Sequence, residues 1–170
     1  MERNRALVHG GEQIEYTCKE TAVLIRAALK AAFPAQKFSV TTQYGSMYSA
    51  TSIRWTDGPT EPEVERITDR FTSKSFDGSD DSTHYHEQTV NGQRVRYAGW
   101  VNVTRECSPA LQARAYARAC QELAIEPRAD GQFWNDYRGD EGGGNTHVGA
   151  RASHILHTLR PNGCRVTLKG

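Results

Sequence analysis

With 170 residues and 37% hydrophobic side chains, the chain can bury the core of one domain and carry a short appendage. Its net charge of +1 excludes a highly acidic nucleic-acid mimic and, equally, a strongly basic nucleic-acid binder. No run approaches the ~20 apolar residues of a membrane span, and the opening MERNRALVHGGEQ has no apolar signal-peptide core, so a cytoplasmic protein is expected.

Residues 1–15 offer no element and are expected to form a flexible N-terminal segment. The first helix opens at Thr17-Cys18-Lys19-Glu20, a capping box in which each end satisfies an orphan amide of the other. Ala22, Ile25, Leu29 and Ala32 then recur at helical spacing. Phe33-Pro34 ends the helix, because a residue preceding proline is pushed out of the helical region. Two strands follow, with Phe38, Val40, Thr42 and Tyr44 alternating in one and Thr51, Ile53 and Trp55 in the other. The link over 45–49 is too short for a crossover, so the pair is antiparallel. Thr56-Asp57-Gly58-Pro59 is a turn, Thr60 and Glu63 form a second capping box, and Val64, Ile67 and Phe71 line the buried stripe of helix two.

The stretch 72–83, TSKSFDGSDDST, is polar and reads as a loop. Asn91-Gly92 between two β-rich runs is the signal of a type I′ hairpin turn. That register sets Val90 opposite Gln93, Glu87 opposite Arg96 and His86 opposite Tyr97, and the opposite charges of the second pair support it. Val95, Tyr97, Val101 and Val103 take the core face of the return strand. Ser108-Pro109 opens helix three, whose stripe is Leu111, Ala115, Ala119 and Leu123, and Pro127 ends it. The expectation is an α+β fold over 16–127, in the order α-ββ-α-ββ-α, with helices packed on one face of an antiparallel sheet. Residues 128–170 form a Gly-rich C-terminal extension: a linker-like run at 139–145, a short helix at 150–159 and a strand at 164–168.

Charge is segregated along the chain. Residues 57–81 hold eight acids (Asp57, Glu61, Glu63, Glu65, Asp69, Asp77, Asp80, Asp81) against three bases. Residues 94–128 hold six arginines (Arg94, Arg96, Arg105, Arg114, Arg118, Arg128) against three acids. Asp57, Glu61, Glu65, Asp69, Asp77, Asp80 and Asp81 are therefore candidates for contact with a basic partner. Arg94, Arg96, Arg114 and Arg118, with Trp100 at the strand parity of the first two, are candidates for nucleic acid, since guanidinium groups and a planar ring suit phosphates and bases. On charge balance, a solvated helix face and a cross-strand ion pair outrank that second reading.

Other constellations are weaker. His84-x-His86 and His154-x-x-His157 lack the tight ligand spacing of a zinc site. The Asp77–Asp81 loop lacks the frame of a calcium loop. No P-loop, nucleophile elbow or H-E-x-x-H is present, and nothing selects one Cys–His pairing among four thiols and six imidazoles. Cys18, Cys107, Cys120 and Cys164 are far apart and read as free thiols. No cofactor, no metal and no catalytic residue are expected, and an enzyme is the minority reading.

The segments KFSV, SIRWTDGPTEPEVERIT and SFDG, within a resemblance that spans roughly 21–127, resemble the large polyvalent-protein-associated domain family, number twenty-nine of its series. The resemblance implies a phage or mobile-element setting and no mechanism. It points to a non-enzymatic binding protein that acts against a host defence component, such as a CRISPR or restriction complex, by protein–protein contact in the host cytoplasm. A nucleic-acid-binding accessory module using the arginine face is the first alternative, and an enzyme acting on nucleic acid or nucleotide the second.

Overall fold

Two strands that the sequence pattern did not announce, β1 (Arg5–Val8) and β2 (Gly11–Tyr16), open the chain. The expected helix follows as α1 (Cys18–Ala32), then β3 (Ser39–Tyr44), β4 (Ser49–Thr56), α2 (Glu61–Thr68) and a 3-10 turn over Asp69–Phe71. Four short strands come next: β5 (Lys74–Asp77), β6 (Ser82–Tyr85), β7 (Gln88–Val90) and β8 (Gln93–Tyr97). β9 (Trp100–Glu106), α3 (Pro109–Glu122), β10 (Tyr137–Gly139), β11 (Asn145–His147) and α4 (Val148–Thr158) complete the order. The computed structural model describes residues 5–8, 11–44, 49–79, 81–97, 99–128, 137–139 and 145–161. They fall into two units, one within 5–55 and 61–104, the other within 56–60 and 105–161.

The fold is α+β with mainly antiparallel sheets, but the α-ββ-α-ββ-α order is not the observed one. In place of one sheet the first unit holds several: β1-β2-β8-β7, β3-β4-β9 and the hairpin β5-β6. The polar stretch read as a loop is therefore a hairpin in which Lys74 faces Tyr85 and Asp77 faces Ser82. α1 begins at the expected box, with the Thr17 hydroxyl accepting from the Glu20 amide at 3.3 Å and the Glu20 carboxylate accepting from the Thr17 amide at 2.9 Å. β3 and β4 pair antiparallel with Val40 opposite Ile53. The core of this unit gathers Ile25 and Leu29 of α1, Val40, Ile53 and Trp55 of the hairpin, Val64 of α2, Phe71, and Val95 and Tyr97 of β8. Phe38, Val101 and Val103 are half-buried against it. Fully burying one such aliphatic side chain contributes about 1.5–3 kcal/mol, so this cluster dominates the unit's stability.

The Asn91-Gly92 turn is the type I′ turn expected, with φ of 52° and 77° at its two central residues. Its register starts as predicted, Val90 opposite Gln93 and Gln88 opposite Val95, and then stops. Ser73 is the reason. Its hydroxyl accepts from the Tyr97 amide at 2.9 Å, and its carbonyl accepts from the His86 amide at 2.8 Å. Both amides that a longer ladder needs are thus committed, so neither Glu87–Arg96 nor His86–Tyr97 pairs across it. On its other edge β8 pairs with β2, in parallel, Ile14 beside Val95 and Tyr16 beside Tyr97.

The second unit is organised by α3 and α4. Ser108 caps α3 through its hydroxyl, which accepts from the Leu111 amide at 3.2 Å. Leu111, Ala115, Tyr116, Ala119 and Cys120 pack with Val148, Ala152, Ile155 and Leu156 of α4. The small residues at 115, 119 and 152 let the helices approach closely. α3 therefore builds this core and is absent from the core of the first unit. Arg105 closes the unit: it donates to the carbonyls of Leu156 and Leu159 at 2.8 Å each, to Asp57 at 3.1 Å and to Gly58 at 3.3 Å. The cation thus meets the orphan carbonyls at the end of α4, where a positive charge is favoured. The helix expected at 150–159 is α4; the strand expected at 164–168 lies outside the described residues.

Two substitutions test this packing. The Thr51 hydroxyl is fully buried with no hydrogen-bond partner among the described residues. Thr51→Val removes that unsatisfied group at nearly constant shape and raises the unfolding free energy read from urea denaturation by on the order of 1 kcal/mol. Gly99 has φ of +89°, and a Cβ there would lie 2.7 Å from the Ser49 carbonyl oxygen and 2.6 Å from Cys18 Sγ. Gly99→Ala lowers stability by about 1–3 kcal/mol through the left-handed backbone, and the collision with a main-chain oxygen adds to that. A midpoint unchanged by Gly99→Ala contradicts this account of the site.

Candidate functional site

The parallel pairing of β2 and β8 sets Glu15-Tyr16-Thr17 beside Arg96-Tyr97 and opens a cleft of about 340 Å³ in the first unit. Lys74 of β5 and Tyr85 of β6 form one side of it, and Ser49 and Gly99 complete the lining. Arg96 lies with its guanidinium carbon 4.6 Å from the centre of the Tyr85 ring, and the Lys74 ammonium is 5.3 Å from the same centre. One aromatic ring thus holds two cations by its negative face. Glu15 reaches Arg96 at 3.6 Å, an open ion pair with both partners about two-fifths exposed. Tyr16 and Tyr97 stack at 5.3 Å between centroids with 17° between planes. Burial pushes the Tyr97 phenol above the usual tyrosine range, Tyr16 adds to the rise and Arg70 opposes it. Tyr97 is therefore a neutral hydroxyl at ordinary pH, while the cleft carries two cations and one carboxylate.

A second depression of about 430 Å³ lies between α1 and β3. It is largely apolar, and its Arg26 guanidinium is already spent on the Val40 carbonyl at 2.5 Å. The cleft at Arg96 is the better candidate, because its charges are still presented to solvent.

The family model of large polyvalent protein associated domain 29 matches residues 16–108, more than half the chain. The chain belongs to this family. As a large polyvalent protein associated domain 29 protein it is associated with phages or mobile elements. Neither a curated protein nor a solved structure matches it. Apart from Glu15, every residue lining the cleft falls inside the matched segment, whereas α3 and α4 lie beyond it.

The residues singled out in the sequence fall in several places. Arg94 and Arg96 belong to the first unit, Arg114 and Arg118 to the second. Arg94 is ion-paired with Glu87, the acid expected opposite Arg96. Arg118 binds Glu122 at 2.9 Å, and Arg114 is exposed on α3. Trp100 is half-buried in β9, and Gly99 with its positive φ separates β8 from β9, so its parity with Arg94 and Arg96 does not carry through. On the acidic side, Glu61 is half-buried while Glu65, Asp69, Asp77 and Asp81 are exposed; Asp80 lies outside the described residues. Asp77 closes its turn by accepting from the Ser79 hydroxyl at 2.6 Å and amide at 2.9 Å, which holds its carboxyl below the usual range. Asp57 belongs to the second unit, where its carboxylate accepts from the Ser108 amide at 2.8 Å. His84 and His86 are exposed and bonded to Ser82 and Ser75. Among the described residues no three metal-ligating side chains stand together.

Sequence reasoning reached Arg96 and missed Glu15, Tyr16, Thr17, Lys74, Tyr85 and Gly99 as a site. The alternation Gln13-Ile14-Glu15-Tyr16 is a strand signal, but it is too short to stand alone.

Glu122 gives a pH test of the pairing at Arg118. The Arg151 guanidinium, at 2.8 Å, and then that of Arg118 hold its carboxyl below the usual glutamate range. A lowered folded-state value means that the contribution is present above the unfolded value, about 4.3, and is lost as pH falls through the folded one. Glu122→Gln should therefore lower Tm at neutral pH and flatten the Tm profile below about pH 4.3 relative to wild type. Superimposable profiles for the two proteins count against the assignment.

Proposed function

We propose that the chain is a non-enzymatic binding protein of a phage or mobile element, acting in the host cytoplasm. It docks on a basic protein surface through the acidic segment from α2 to β6. One contrast supports this reading. The exposed Glu65, Asp69 and Asp81 have no ion-pair partner among the described residues, whereas Arg94, Arg96 and Arg118 each already face a carboxylate. A basic partner meets carboxylates that are still solvated; a phosphate backbone must first displace carboxylates from arginines. Unpaired rim charges of one sign steer association and discriminate among partners. In the setting of phages and mobile elements, a host CRISPR effector or restriction complex is the partner that fits, and occupying it is counter-defence.

The test is stoichiometric copurification of the tagged protein with a defence component from a host carrying intact defence systems. The expected result is a complex lost on Glu65→Lys with Asp69→Lys and retained on Arg114→Glu with Arg118→Glu; all four positions are exposed, so both variants stay folded, the arginine variant with a lowered Tm because it sets a carboxylate beside Glu122. If the arginine variant loses binding and the acidic variant keeps it, with nucleic acid copurifying and affinity falling steeply with salt, the nucleic-acid reading replaces this one.

A further inference from the structure

We propose that the cleft between β2, β8 and the β5–β6 hairpin binds a nucleotide, with its phosphate between Lys74 and Arg96 and its flat part against Tyr16. The cleft shares the β5–β6 hairpin with the acidic segment, but none of Glu65, Asp69 and Asp81 lines it, and its test is independent of that reading. Three observations carry it. First, Lys74 and Arg96 are brought to one ring, Tyr85, from different strands, and among the described residues of the lining only Glu15 opposes them, at 3.6 Å from Arg96. Lys74 has no carboxylate partner among the described residues, so the lining holds an excess positive charge in a partly enclosed space. Such an arrangement is an anion site: the ammonium gives a point charge, and the planar guanidinium offers paired N–H donors to phosphate oxygens.

Second, the rest of the lining is aromatic and hydroxylic. Tyr16 is half-buried on its stack with Tyr97, and Tyr85 is 56% exposed. With the Tyr85 ring holding both cations and Tyr97 buried, Tyr16 offers flat apolar surface to a nucleobase without demanding a particular base, and the hydroxyls of Tyr16, Tyr85 and Ser49 suit a sugar. An inorganic anion would use only the cations; a nucleotide uses both halves. Third, about 340 Å³ lies at the small end of ligand pockets, roughly 300–1,000 Å³, which suits one nucleotide unit.

The Glu15–Arg96 pair gives the site a signature. Phosphate must compete with the Glu15 carboxylate for the guanidinium, so removing that carboxylate should strengthen binding, which a merely structural ion pair would not do. Calorimetric titration of the full chain with adenosine monophosphate, inorganic phosphate, and a 5′-phosphorylated and a 5′-hydroxyl dinucleotide tests this. The expected result is saturable binding of the mononucleotide and weaker binding of inorganic phosphate. Lys74→Gln and Arg96→Gln should each weaken the nucleotide about tenfold, the effect of one charge-assisted hydrogen bond, and Glu15→Gln should tighten it. If Arg96→Gln alters the circular dichroism, Lys74→Gln carries the test, since among the described residues the Lys74 ammonium meets the Tyr85 ring and no carboxylate. A 5′-phosphorylated dinucleotide that binds more tightly than both the mononucleotide and its 5′-hydroxyl form identifies the source as a strand end; otherwise the source is the free nucleotide. Absence of nucleotide binding at millimolar concentration, equal affinity for inorganic phosphate, or indifference to Lys74→Gln overturns the proposal.

Discussion

The first unit depends on the backbone pairing of β2 with β8, a parallel contact between segments some eighty positions apart in the chain. It places Ile14 beside Val95 in the interior, Tyr16 on Tyr97 at the edge of the core, and Glu15 next to Arg96 on the other face. In-register side chains of adjacent parallel strands share a face, so one set of main-chain bonds fixes the core contact and the charged cleft together. Local turn chemistry cannot set such a pairing. On the other edge of β8 the ladder with β7 is cut short by Ser73, whose hydroxyl and carbonyl take the amides of Tyr97 and His86.

In the second unit the comparable constraint is Arg105. A half-buried guanidinium with carbonyls of Asp57, Gly58, Leu156 and Leu159 around it satisfies main-chain acceptors that would otherwise be stranded, at a helix end whose partial negative charge welcomes a cation. The left-handed φ of 56° at Asp57 is held from both sides, by its amide on the Glu106 carbonyl at 2.7 Å and its carboxylate on the Ser108 amide. Asp57 is thus occupied in starting α3. A residue that looked like surface acid in the sequence has a local structural partner, and the same holds for Asp77 at its hairpin turn.

These cases suggest a way to sort charges on a small binding protein. Carboxylates and guanidiniums already committed to amides, carbonyls or one another define the fold. Those still solvated, Glu65, Asp69 and Asp81 on one side and Lys74 with the openly paired Arg96 on the other, are what a partner or ligand can meet without first breaking an internal bond. Two sets of solvated charge of opposite sign on the first unit follow from that sorting, and each has its own test.

The sequence by itself determined the elements whose causes are local. The Thr17–Glu20 box, the Phe33-Pro34 stop, the alternation around Ile53 and Trp55, the Asn91-Gly92 turn and the Ser108-Pro109 start all act within a few residues, so they were legible and the structure has the elements they mark. The family, too, was legible, in segments inside 16–108. Tertiary structure alone decided which strands meet, because register between distant segments is set by the burial of whole faces and not by any short motif. Hence the ladder of Glu87 with Arg96 gave way to Glu15, α3 joined α4 in a core of its own, the polar stretch 72–83 folded as a hairpin, and the cleft assembled from residues of β2, β5, β6 and β8 that no single stretch of sequence places together.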